Sequence, residues 1–112
     1  MTTIFHIPRC SKSRQTLTLL NEHGVDPEVV EYLDTPPSAA ELKEILTMLG
    51  IGPRDLLRKK EAKEAGLDNP AMDDDALIDA MAANPVVIER PIVVHNGRAA
   101  LGRPPESVLD IL

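Results

Sequence analysis

Cys10 is the single cysteine of this chain, and it lies where a thiol becomes reactive. It follows the apolar run Thr3-Ile4-Phe5-His6-Ile7, which has strand character. It precedes a helical pattern that runs through Leu17, Leu19 and Leu20. A sulfur at such a turn faces the unpaired N–H groups and the positive dipole end of the helix. Both favour thiolate over thiol and lower the pKa. Arg9, Lys12 and Arg14 lie within four residues of it in an otherwise acidic protein. This combination suits a nucleophile beside an oxyanion site. The competing reading is a buried, inert cysteine, and the turn position and clustered cations weigh against it.

One cysteine cannot close an internal disulfide, so redox chemistry at Cys10 needs a second sulfur from another molecule. Cys10 and Ser13 have C-x-x-S spacing, and a serine cannot resolve a disulfide. Ser13 is either a hydrogen-bond donor to the site or an ordinary helix N-cap. His6, four residues before Cys10, either favours the thiolate as an imidazolium neighbour or packs on one strand face; spacing leaves both open. A phosphatase-type loop needs a longer Cys-to-Arg spacing than the three residues between Cys10 and Arg14. One Cys and the scattered His6, His23 and His95 give poor support for zinc. Farther along, Arg90 heads an apolar strand and Arg103 precedes Pro104. Both flank the ends of a hairpin and can converge on one sheet edge, where bidentate guanidinium groups would hold a tetrahedral oxyanion. Arg58 follows Leu56-Leu57. Pro91 is a candidate cis proline at the entry to a core strand.

The elements that must carry these residues read as β-α-β, a helical stretch, then β-β-α. Residues 3–7 form a strand and 12–23 a helix stopped by Gly24. Val29, Val30, Tyr32 and Leu33 make a second strand. Ser38 and Glu41 form a capping box ahead of Leu42, Ile45, Leu46 and Leu49, a helix ending at Gly50. Short helices follow Gly52-Pro53 and span 61–66. Asp73-Asp74-Asp75 open another helix, closed by Asn84-Pro85. Val86–Ile88 leads into Arg90-Pro91 and then the strand Ile92-Val93-Val94. Asn96-Gly97 is a two-residue hairpin turn, 98–101 the returning strand, and Pro104-Pro105-Glu106 starts a last helix with Val108, Leu109 and Leu112. A small mixed sheet flanked by helices accommodates this order, with a parallel first unit and an antiparallel hairpin.

The chain has 112 residues, enough for one domain with a core; 43% are hydrophobic and 27% charged, so it should fold. Aromatics are only 2%, which leaves the core to Leu, Ile, Val, Met and Ala. A net charge of −6 argues against nucleic acid or an anionic membrane as the main partner. The sequence contains no bilayer-spanning stretch or signal-peptide pattern, and a lone thiol fits a reducing cytoplasm.

The stretch F-H-I-P-R-C-S-K-S-R, the middle L-L-R-K-K, and the C-terminal V-V-I-E-R-P-I-V-V and G-R-P-P-E-S-V-L-D-I-L together resemble the glutaredoxin-coupled arsenate reductase (ArsC) family over essentially the whole chain. The resemblance implies a single thioredoxin-like domain over 1–112, with a helical insertion at about 38–84 between the second strand and the hairpin. It implies Cys10 as nucleophile, His6 as the histidine that helps lower its pKa, Arg58, Arg90 and Arg103 as anion-binding arginines, and Pro91 as the cis proline. It further implies arsenate as substrate, glutathione as co-substrate, glutaredoxin as partner and no bound cofactor. A cationic pocket on an acidic surface suggests a monomer. Two rival readings share the fold: a glutathione-dependent thiol oxidoreductase with another substrate, and an Spx-like redox-linked regulator that binds RNA polymerase. Many Spx proteins use C-x-x-C as a switch, which Ser13 removes here.

Overall fold

Five residues at the N-terminus, Thr2–His6, supply strand β1, and alternation along it puts Ile4 on one sheet face and Phe5 on the other. The computed structural model describes all residues, Met1–Leu112. Two units are distinguished: Met1–Thr35 with Arg90–Leu112, and Pro36–Glu89.

The first unit is built on a four-stranded sheet in the order β2-β1-β3-β4. β1 pairs parallel with β2 (Glu28–Glu31) and antiparallel with β3 (Ile92–His95), which pairs antiparallel with β4 (Arg98–Leu101). Ile4 is opposite Val93, and Val93 opposite Ala100. This row joins Leu20 of helix α1 (Ser11–Glu22), Val108 and Ile111 in one apolar cluster. Asn96 and Gly97 close the β3–β4 hairpin with φ of 48° and 80°, the left-handed pair that a tight hairpin turn requires.

The sequence reading placed Tyr32 and Leu33 in the second strand, but β2 stops at Glu31. The Glu31 carbonyl accepts from the N–H groups of Asp34 and Thr35, both at 3.0 Å, so the chain turns there. Tyr32 is buried in that turn. The last helix is a 3₁₀ helix, Pro105–Ile111, and its buried residues are Pro105, Val108 and Ile111 rather than Leu109 and Leu112. Their three-residue spacing matches the three residues per turn of a 3₁₀ helix, which aligns all three on one face.

The second unit is helical. Helix α2 (Ala39–Leu49) carries the expected capping box: the Glu41 N–H donates to Ser38 Oγ at 3.1 Å, and the Ser38 N–H to Glu41 Oε1 at 3.2 Å. Gly50 ends it at φ 71°. A 3₁₀ turn at Pro53–Leu56, helix α3 (Lys59–Glu64) and helix α4 (Asp74–Ala83) follow, the last capped by Asp73. α2 and α4 pack together through buried Leu42, Ile45, Leu77 and Ile78. Residues 85–87 form a 3₁₀ turn, because Pro85 supplies a preset φ and the Ile88 N–H returns to its carbonyl at 3.0 Å. No helix is long and apolar enough to cross a membrane.

Candidate active site

Cys10 is the N-cap residue of α1, in extended conformation (φ −86°, ψ 121°), and it is partly exposed. Its N–H donates to the Ile7 carbonyl at 3.0 Å and its carbonyl accepts from Arg14 N–H at 3.0 Å, which fixes the turn. No side-chain cap bond closes, so the first-turn N–H groups act on the sulfur through their dipoles. Burial pushes the Cys10 thiol up. The Ser13 N–H, the Arg90 guanidinium through hydrogen bonding and charge, and the Lys12 N–H outweigh it, and the net direction is down.

The sequence reading assigned the local cations to the sulfur. Instead, Arg14 Nη1 donates to the Pro8 carbonyl at 3.0 Å and braces the loop. The guanidinium groups that meet the sulfur come from residues 90 and 103. Arg103 Nη2 lies 4.0 Å from Cys10 Sγ, and Arg103 Nε donates to the Arg90 carbonyl at 2.7 Å. The Nε and Nη1 atoms of Arg90 are buried with no hydrogen-bond partner. Leaving buried guanidinium donors unpaired costs free energy, so this arrangement marks a place for an acceptor. The Arg90–Pro91 and Arg103–Pro104 bonds are both cis; the sequence reading singled out only Pro91.

Ser13 is not the N-cap. It lies in the first turn of α1, fully buried. Its hydroxyl accepts from the Ile7 N–H at 3.1 Å and pairs with His6 Nδ1 at 2.5 Å. His6 is 5% exposed. Burial lowers its pKa, Glu31 opposes this, and Arg14 adds to the lowering; the imidazole is favoured over the imidazolium. That direction weighs against the imidazolium reading of His6. Arg58 belongs to the second unit, where its Nε lies 3.2 Å from Glu61 Oε2. No group of three His, Cys, Asp or Glu side chains is placed to hold a metal ion.

Gly102 escaped the sequence reading. A Cβ built there would collide with Thr16 Oγ1 and lie 2.7 Å from Pro91 Cγ. The Gly102 N–H also donates to the Pro91 carbonyl at 2.9 Å. Only glycine lets the backbone before Arg103 approach α1 this closely. Gly102→Ala is expected to destabilise the fold by roughly 1–3 kcal/mol and to weaken oxyanion binding by displacing Arg103. Thermal melting and anion titration check the two effects; an unchanged melting temperature would refute the close fit.

The profile of the ArsC family matches residues 5–111. The chain belongs to the ArsC family. It is 54% identical to the arsenate reductase of Neisseria meningitidis serogroup B, over 97% of this chain and 96% of that protein. It is 55% identical to the uncharacterized protein YfgD of Escherichia coli, over 97% and 94%. Among solved structures, the arsenate reductase from Vibrio cholerae superposes with a TM-score of 0.95 at 51% identity, covering 99% of this chain and 97% of that one. The ArsC architecture is thioredoxin-like, and the mixed sheet flanked by helices described above is of that class.

Proposed function

We propose that this ArsC protein is an oxidoreductase that reduces arsenate to arsenite, with Cys10 as its sole nucleophile and an external thiol as electron donor. The observation that carries this reading is the pair of partnerless buried donors on Arg90, beside a sulfur whose pKa is lowered. A tetrahedral oxyanion would satisfy those donors, and the relatives named arsenate reductase supply its identity.

In the proposed sequence the Cys10 thiolate attacks pentavalent arsenic and an arsenate oxygen leaves as water after protonation. Arg90 and Arg103 neutralise the oxyanion, with Arg58 as the third guanidinium. Glutathione thiolate then attacks the Cys10 sulfur. The sulfur–arsenic bonding pair passes to arsenic, which leaves as trivalent arsenite, and a Cys10–glutathione disulfide remains. Glutaredoxin reduces that disulfide. The buried Ser13–His6 pair positions the first turn of α1 under the sulfur: Ser13 holds Ile7 on one side and its own N–H acts on Cys10 on the other. We further propose that the chain works as one thioredoxin-like domain with 38–84 as its helical insertion, as a monomer in the cytoplasm, with no bound cofactor.

The test is arsenate-dependent NADPH oxidation in the presence of glutathione, glutaredoxin and glutathione reductase. The expected result is turnover that requires all three. Turnover with another oxyanion alone would replace arsenate as substrate, and no turnover with any oxyanion would refute the reading.

A further inference from the structure

A cavity of about 280 Å³ opens beside the Cys10 loop, at the carboxyl ends of the parallel strands β1 and β2. Crevices at that end of parallel strands are the usual ligand seats of open α/β sheets. Ile7 and Leu33 give its lining apolar surface, and Arg9, Glu31 and Asp34 give it charges of both signs. The turn that ends β2 sets the spacing of these two residues through their backbones, the Asp34 N–H bonding the Glu31 carbonyl at 3.0 Å. His6 also lines the cavity. The residue is 5% exposed, and Ser13 occupies its Nδ1.

Two carboxylates make the cavity a poor seat for a second oxyanion. The juxtaposition of Glu31 and Asp34 with Arg9 instead suits a zwitterion, with an ammonium against the carboxylates and a carboxylate against the guanidinium. The wall formed by Pro8 and Arg9 runs directly into Cys10. We propose that this cavity seats the amino-acid head of a small γ-glutamyl thiol, so that its sulfur reaches Cys10 from the β2 side while Arg90 and Arg103 hold the oxyanion. The inference rests on the external-thiol reading above and adds where that thiol binds. It gives the two substrates of one sulfur separate seats, of opposite electrostatic character.

S-methylglutathione, which cannot react, is the probe, titrated into the whole protein and followed by amide NMR. Shifts centred on residues 31–34 and 7–9 are expected. Glu31→Gln with Asp34→Asn should weaken binding about fivefold or more, and acetylating the ligand's ammonium should weaken binding to the unmodified protein similarly. An amide spectrum otherwise like that of the unmodified protein shows that the double variant is folded. Shifts confined to 90–103, equal affinity for all pairs, or shifts at 31–34 only with a glutaredoxin would overturn the seat. Because the probe carries no thiol, its binding is independent of turnover. Binding here without arsenate reduction would sink the proposed function and keep the seat; arsenate reduction without these shifts would do the reverse.

Discussion

Cys10→Ser is expected to lower arsenate turnover by a factor on the order of 10³ or more, because no second sulfur exists to take over bond formation to arsenic. The fold should persist. Cys10 is partly exposed and forms no disulfide, and its structural bonds are made by its backbone, which serine keeps. A pH dependence separates this variant from a simple loss of packing. The folded-state pKa of Cys10 is depressed, so the ionised sulfur contributes stability above the unfolded pKa. That contribution is lost as pH falls through the folded value. The two proteins should therefore melt closest together in acid and farthest apart in alkali. Residual turnover near that of the unsubstituted protein would remove the nucleophile assignment.

Arg90→Ala should reduce kcat/KM for arsenate by roughly 100- to 1,000-fold. Two losses combine in it. The buried donors that await an acceptor disappear, and so does the charge that lowers the Cys10 pKa. Arg90→Lys should recover only part of the activity, since an ammonium restores charge without the planar fork that binds two oxygens at once. Melting temperature should change little, because the deleted Nε and Nη1 donors have no protein partner to lose and the guanidinium's contact with Cys10 is all that goes. Kinetics indistinguishable from those of the unsubstituted protein would eliminate Arg90 as an oxyanion ligand.

Local chemistry was legible where local chemistry decides the structure. Asn96-Gly97 gave the hairpin, since few other pairs accept two positive φ values. Ser38 with Glu41 gave the start of α2, since each satisfies the other's backbone. The end of β2 was illegible because a backbone carbonyl stops it, Glu31 accepting two N–H groups, while Tyr32 keeps the composition of a strand. The last helix was marked by Val108, Leu109 and Leu112, whereas burial follows Pro105, Val108 and Ile111.

The same division runs through the site. Cys10 announces itself by residue type and by its place before a helix. Arg90 and Arg103 were placed at the hairpin ends, but their approach to the sulfur depends on how β3 and β4 lie beside β1. Gly102 carried no signal, because its requirement is the closeness of Thr16, 86 residues earlier in sequence (102 less 16). The Ser13–His6 pair was hidden for a similar reason. Each residue had an ordinary local explanation, N-cap or strand packing, and only burial of both shows that they serve each other.

The central claim is that the Cys10 thiol ionises below the ordinary cysteine range because of its position at the head of α1 and the guanidinium beside it. The direct measurement is a pH titration of the thiolate's ultraviolet absorbance, made on the unsubstituted protein and on Arg90→Ala. The account predicts a midpoint below that of an ordinary cysteine, moving upward when Arg90 is removed. A midpoint at or above the ordinary value, unmoved by the substitution, would contradict it.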